Sequence, residues 1–344
     1  MSTTSTNATL PPTRTRPSQN YNGIDLCKFL CSILVFCVHI PPFSADSSRF
    51  EQYLNFGMQH YLGRVAVPFF FVSSGFLLFR SMPLHDLDHE RIKVYCFKLL
   101  RLYATWNLLL VLGIRGHLWY LSASVVAVIL VSLCLRCRFR LSTIWILAGI
   151  LYVIGLLGDS YYGIVEPLTR YKPIDLIFRV YRRLFTYTRN GLFMGFIFVL
   201  MGAAFAHSGR IPSLKTSLIG FVCSMGMLFA EVFVLKTLHI PAEYNMYVFL
   251  IPAVYFLFSF VLQLRLKDRP IFKRLRSAGL WFYLSHLFFY FCVSEALKIA
   301  DTHLGLHLTD YKFLFSLTAT LLFAFAAEAV SRRKPFKWLN YLIS

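Results

Sequence analysis

Charge is scarce in this sequence. Asp and Glu number 16 and Lys and Arg 35 among 344 residues, so charged side chains make up 15%, against roughly a quarter in soluble domains. That shortage excludes a soluble globular protein of this length. No Gly-rich phosphate loop and no Gly-x-Ser-x-Gly elbow occurs, which removes the P-loop and serine-hydrolase templates. Internal repeats are missing too. The eight cysteines lie mostly in apolar runs, where a small hydrophobe is the ordinary reading, and they form no disulfide framework. Metal chemistry has little to stand on. Cys134 and Cys137 have knuckle spacing but no second pair, and His303 and His307 have helical ligand spacing without carboxylates to close a site, so no metal is expected.

What the chain has instead is apolar length. Hydrophobic residues are 57% of it, and the mean hydropathy is +0.59. A membrane span needs about 20 mostly apolar residues. Ten runs qualify as candidates: 24–40, 62–79, 99–114, 118–135, 142–157, 191–206, 214–235, 246–264, 279–298 and 311–330. The expected fold is therefore an all-α polytopic bundle of about ten transmembrane helices. Residues 1–20, rich in Ser, Thr, Pro and Arg, read as a disordered cytosolic tail. Residues 21–332 read as one transmembrane domain and 333–344 as a basic cytosolic tail. No cleavable leader is expected, because the first apolar run starts late.

The formal net charge of +19 raises the question of nucleic acid. Its distribution argues against that partner, since the basic residues are spread over alternate loops and do not form one face. Arg14 and Arg16, then Arg80 to Arg101, Arg136 to Arg140, RLKDRPIFKRLR and RRKPFK fall on one side if the N-terminus is cytoplasmic. That is the positive-inside pattern, with both termini inside a plasma or inner membrane and lipid as the surrounding partner. The basic segment 159–190 is the exception. It reads as a lid over an acceptor or as an amphipathic piece lying on headgroups. Oligomeric state, a homo-oligomer included, stays open.

Ionisable groups inside spans are expensive and tend to face the protein interior. In DLCKFLCSILVFCVHIPP, Lys28 and His39 stand eleven residues apart, which leaves about 20° between them in azimuth and about 16 Å along the axis. They share one helix face at two depths. Asp25 is placed to pair with Lys28 across one turn. The plain alternatives are a Lys28 that snorkels to the interface and a His39 that merely ends its helix. GRVAVPFFFVSSGFLLFR then adds Arg64, a Pro68 expected to loosen the helix, and Ser73, Ser74 and Gly75, which allow close backbone approach. Helix packing accounts for the small residues but not for Arg64.

These segments resemble the integral-membrane acyltransferase 3 family. Lys28 and His39 match its Arg/Lys-x10-His motif, and VPFFFVSSGFLLF is similar to its second-helix signature. KLLRLYATW from Lys98, HLWYL from His117 and LWFYLSHLFF from Leu280 follow in the family's order, so the resemblance runs from about Tyr21 to Val330. Two features depart from some relatives: lysine in place of arginine at 28, and no appended soluble domain. The resemblance implies a membrane enzyme that moves an acyl group, typically acetyl, from cytosolic acyl-CoA to a carbohydrate hydroxyl on the outer face. The His-x4-Asp pattern of glycerolipid acyltransferases is absent, since no aspartate stands five residues after any histidine.

Acyl transfer to a hydroxyl needs a base for its proton and donors for the oxyanion. His39 suits the first task, or it could carry the acyl group itself. Lys28 is placed for the donor and Arg64 for the acceptor or for structural pairing. Lys98, Arg101, Tyr283 and His286 are donor-side candidates, with positive-inside topology as the rival account of the two basic residues. Ser74, Trp119, Tyr120, Glu231 and Glu295 are acceptor-side candidates. An aromatic belt equally explains Trp119 and Tyr120, and solvated acids equally explain Glu231 and Glu295. His117 reads as an outer-loop residue. A transporter or polysaccharide exporter would also carry intramembrane charges and broken helices.

Overall fold

The computed structural model describes residues 21–44, 47–84, 86–109, 118–185, 187–208, 211–238, 243–305 and 307–343. The 1–20 tail and His117 lie outside the described residues. Thirteen α-helices follow one another: α1 (Asn22–His39), α2 (Arg49–His60), α3 (Ala66–Phe79), α4 (His89–Leu109), α5 (Trp119–Arg136), α6 (Leu141–Leu157), α7 (Tyr162–Val165), α8 (Lys172–Leu184), α9 (Phe196–His207), α10 (Leu214–Thr237), α11 (Leu250–Gln263), α12 (Pro270–Leu304) and α13 (Lys312–Ser331).

Every apolar window of the sequence contains a helix, but the helices differ in reach. Among the described residues, six are long and apolar enough to cross a membrane: Asn22–His39, Arg49–Phe79, Trp119–Arg136, Leu214–Thr237, Pro270–His303 and Leu308–Ser331. A seventh span results if Leu141–Leu157 is joined to Tyr162–Arg170 across a 78° bend. Window 99–114 falls largely in the charged α4, while Gly191–His207 and Leu250–Gln263 are shorter apolar helices. The protein is thus a multi-pass helical membrane protein.

The centre of the bundle is α3 against α9. Nearly all of both helices is buried, and small residues set their separation. A Cβ on Gly75 would lie 2.3 Å from the Val199 carbonyl oxygen, and one on Gly202 would lie 2.1 Å from that of Val72. Backbone therefore meets backbone, the close approach expected of Ser73-Ser74-Gly75. The short α9 needs no lipid-facing length, because other helices enclose it. Pro68 does not loosen α3 as expected. It is the third residue of that helix, where an amide hydrogen would have no intrahelical acceptor.

Lipid-like chemistry faces outward. Leu30, Leu133, Ile146 and Val222 are among the exposed apolar side chains, whereas Ser32, Ser73, Ser124 and the hydrogen-bonded pair Ser217 and Ser259 are buried. α1 packs on α12 and α3, and α12 on α13. Asn22 donates to the carbonyls of Leu266 and Lys267, fixing the start of α1. His39 closes α1, because Ile40 is already extended ahead of Pro41 and Pro42. α2 begins with a capping box between Ser48 and Glu51. The chain end docks on the bundle: Trp106 Nε1 donates to the Leu342 carbonyl at 2.8 Å.

Candidate active site

Two cavities open on opposite ends of α1. The one at His39 is small, about 40 Å³, and is bounded by Val35, Val38, Arg64, Trp119, Arg189, Asn245 and Tyr283 among others. The one at Lys28 is about 260 Å³, with Phe29, Phe70, Ser74, Tyr95, Lys98, Tyr120, Arg276 and Tyr283 among its walls. Tyr283 lines both. One aromatic side chain from α12 is therefore the shared wall between the lysine and the histidine of α1.

The His39 end is built on a buried polar frame. Asp159, 2% exposed, accepts from Asn245 backbone N at 2.7 Å, from Met246 N at 3.0 Å, from Ser160 Oγ at 2.9 Å and from Asn245 Nδ2 at 2.9 Å. A carboxylate only accepts, so the Asn245 amide nitrogen must face it and Oδ1 must face the cavity. Into that oxygen donate Arg64 Nη1 at 2.6 Å and Arg189 Nη1 at 3.4 Å. Arg64 Nη2 also meets His60 Nδ1 at 3.2 Å. The Arg189 guanidinium lies over Trp119, 5.9 Å from the ring centre, and over Tyr187 at 4.9 Å.

His286 stands beside His39, with ring centres 5.5 Å apart. It is fully buried, and its Nδ1 meets the Tyr283 carbonyl at 2.7 Å. A carbonyl can only accept, so Nδ1 carries the hydrogen and a neutral ring keeps its lone pair on Nε2. The sequence reading grouped His286 with the donor. The structure places its ring beside His39, one turn beyond Tyr283.

At the other end, Lys28 is not paired with Asp25. Arg276 takes that carboxylate in a two-pronged contact, Nε at 2.8 Å and Nη2 at 2.6 Å, because the fork of a guanidinium matches a carboxylate better than an ammonium does. Lys28 is left without an ion pair among the described residues. Lys98 lines the larger cavity and also an open groove of α4 with Lys93, Phe97 and Arg101. Burial and then the neighbouring Arg101 lower the Lys98 pKa from the usual lysine range. Ser74 Oγ bonds the Tyr120 hydroxyl at 2.9 Å, so Ser74 and Tyr120 belong to the Lys28 cavity, while Trp119 belongs to the His39 cavity.

Comparison with known proteins bears on this arrangement. Residues 21–115 match a family model described as "Acyltransferase domain". The chain carries an acyltransferase 3 domain. Lys28, His39, Arg64, Ser74, Lys98 and Arg101 all lie within that acyltransferase 3 stretch. Curated relatives carry other names. The chain is 30% identical over 277 residues to an "Amino-acid racemase" of Enterococcus faecalis, covering 73% of this chain and 37% of that protein. It is 29% identical over 291 residues to a "Serine/alanine racemase" of Enterococcus gallinarum, covering 77% of this chain and 40% of that protein. The chain thus spans less than half the length of these relatives. No solved structure matches it at a significant level.

The two acidic candidates stand apart from the acyltransferase 3 motif residues. Glu231 is buried and not solvated: it accepts from Val248 N at 2.7 Å, Phe249 N at 2.9 Å and Tyr161 Oη at 2.6 Å, holding the start of α11. Glu295 makes an exposed pair with Lys298 at 2.7 Å on α12. Sequence reading missed Asp159, Asn245 and His60 as site residues. Arg189 belonged to the basic segment expected to cover an acceptor, and its side chain does reach the cavity.

Proposed function

We propose that this protein transfers an acyl group, most simply acetyl, from acyl-CoA to a hydroxyl of an extracytoplasmic carbohydrate. One observation carries the reading: Lys28 and His39, at opposite ends of one helix, line two cavities that share Tyr283 as a wall. The larger cavity fits the donor by its chemistry. Its walls are aromatic and aliphatic, its cations outside an ion pair are Lys28 and Lys98, and its size suits the pantetheine arm but not the whole coenzyme. The nucleotide phosphates would lie outside it, along the Lys93, Lys98 and Arg101 groove.

His39 takes the proton of the acceptor hydroxyl as its oxygen attacks the thioester carbonyl. Collapse of the tetrahedral intermediate breaks the carbon–sulfur bond, and the proton leaves with the thiol. His286, close by and holding its hydrogen on Nδ1, offers a second nitrogen for that proton. Arg64 and Asn245 orient the acceptor. The racemase names belong to proteins whose greater part lies outside the match, and acyl transfer needs nothing from that part.

Export is the second reading, supported by the same pair of cavities, which is also how an alternating-access site looks. Labelled acetyl-CoA offered to purified protein in vesicles separates the two. An acyltransferase releases CoA or labels an acceptor, whereas an exporter leaves the thioester whole.

A further inference from the structure

The His39 cavity is lined by two guanidiniums that make no direct contact with a carboxylate among the described residues. Arg64 and Arg189 both line it, and neither is in an ion pair among the described residues. The two carboxylates of the network reach Asn245 and not the arginines: Asp159 takes four hydrogen bonds, all from neutral donors, and Glu243 Oε2 accepts from Asn245 Nδ2 at 3.3 Å. Asn245 therefore stands between the acids and the two guanidiniums. A half-buried guanidinium with no direct carboxylate contact is costly in a membrane protein.

Donor counting gives the same answer. A guanidinium has five N–H groups. Those of Arg64 meet Asn245 and His60, and its Nε is buried without a hydrogen-bond partner. Arg189 reaches Asn245 by one long contact of 3.4 Å. Its guanidinium lies over the Trp119 and Tyr187 rings, which accept no conventional hydrogen bond from its N–H edge. Two forks with spare donors, beside a histidine in about 40 Å³, suit a planar two-oxygen anion better than a tetrahedral phosphate.

We propose that the cavity binds a carboxylate of the acceptor between Arg64 and Arg189, so that the molecule acylated is a hydroxy acid and not a neutral sugar. The part that concerns acylation rests on the function proposed above, while the carboxylate site itself does not. A uronic acid and a hydroxy amino acid both present this chemistry, and they are separable by experiment.

The test uses the full chain in detergent and reads its melting temperature with D-glucuronate, L-serine, inorganic phosphate or glucose at matched ionic strength. At about 100-fold above the dissociation constant, a carboxylate should raise the melting temperature by several degrees, and glucose should not. Glucuronate alone identifies a sugar acid as the source, and serine alone an amino acid. Arg189→Gln should weaken the carboxylate at least about tenfold, and Arg189→Lys, which keeps the charge but not the fork, by less. Should Arg189→Gln fail to fold, the Arg189→Lys comparison decides. The proposal is overturned by carboxylates that do no better than glucose, by phosphate that equals them, or by arginine variants that keep the full shift. CoA release by the wild type is measured alongside. Release without a carboxylate shift defeats only this inference, and a shift without release defeats only the acyl-transfer reading.

Discussion

Replacing Asp159 by Asn tests whether the acceptor end is held from beneath. The carboxylate accepts three donors at Oδ1, from Asn245 N, Met246 N and Ser160 Oγ, and one at Oδ2, from Asn245 Nδ2. An asparagine would keep its oxygen on the threefold side, so its NH2 would confront the NH2 of Asn245. One charge-assisted bond worth about 1.5–3 kcal/mol is lost, and the other three become neutral and weaker. Asn245 can relieve the clash only by flipping, which turns its amide donors onto Arg64 and Arg189 and ends the 2.6 Å and 3.4 Å contacts. Either outcome displaces Arg64. The expected loss is about 3 kcal/mol in the transfer step, or about 100-fold in rate. Acyl-CoA binding, read by retention of labelled acetyl-CoA on the purified protein, should stay within about twofold, because no wall of the Lys28 cavity moves. In an Arg64→Ala background the same change should add little, since both act through one unit. Full transfer by Asp159→Asn, or a loss that simply adds to that of Arg64→Ala, refutes the reasoning.

His39→Ala should abolish labelling of the acceptor in whole membranes while leaving the protein inserted; retained labelling removes His39 from the chemistry. Lys28→Arg should keep much of the acyl-CoA binding and Lys28→Ala little, and identical binding by the two rejects a charge role. Tyr283→Phe should transfer normally, because its ring is the wall, whereas Tyr283→Ala should let water reach the thioester and raise CoA release without acceptor labelling; the reverse order makes the hydroxyl, not the ring, the working part. Gly202→Ala should reduce the yield of folded protein sharply, since its Cβ would meet the Val72 carbonyl oxygen at 2.1 Å and overpacking costs about 1–3 kcal/mol where neither side can yield. Wild-type thermal stability for that variant contradicts the α3–α9 crossing.

What the sequence disclosed follows from what leaves a periodic or compositional trace. Lys28 and His39 were legible because eleven residues bring two ionisable groups to one face of an apolar run, and α1 is unbroken between them. Arg64 was legible as a charge where lipid tolerates none. Gly75 announced a close crossing without naming α9 as the partner. The positions of the apolar windows were legible, but not their lengths as helices, because α9 is enclosed by protein and needs no full lipid-crossing run. Asp159 and Asn245 were invisible. They lie 86 positions apart in loops, where no period applies, and each gains its role only when the other is beside it. The neighbourhood of His286 with His39 was not legible, because an apolar window gives depth along a helix but not which side chain the helix meets.

The division of labour along α1 explains why charges of different kinds sit at its two ends. Asp25 is claimed by Arg276, so Lys28 brings an ammonium without an ion pair among the described residues to a mostly apolar cavity, where under the proposed function it would meet a flexible donor. Arg64 is the opposite: pinned by Asn245, which is pinned by Asp159, it presents a fixed edge to whatever enters beside His39. A reaction between a flexible thioester arm and a hydroxyl needs the second reactant held in a near-attack geometry, because orientation supplies much of the barrier reduction. Under the proposed acyl transfer, the rigid frame therefore belongs at the histidine end, where proton and nucleophile would line up. The compliant one belongs at the lysine end, where only a chain must pass. Tyr283 lies where the two meet, and its backbone carbonyl also fixes the tautomer of His286, so the wall between the cavities and the imidazole beside His39 are positioned by the same turn of α12.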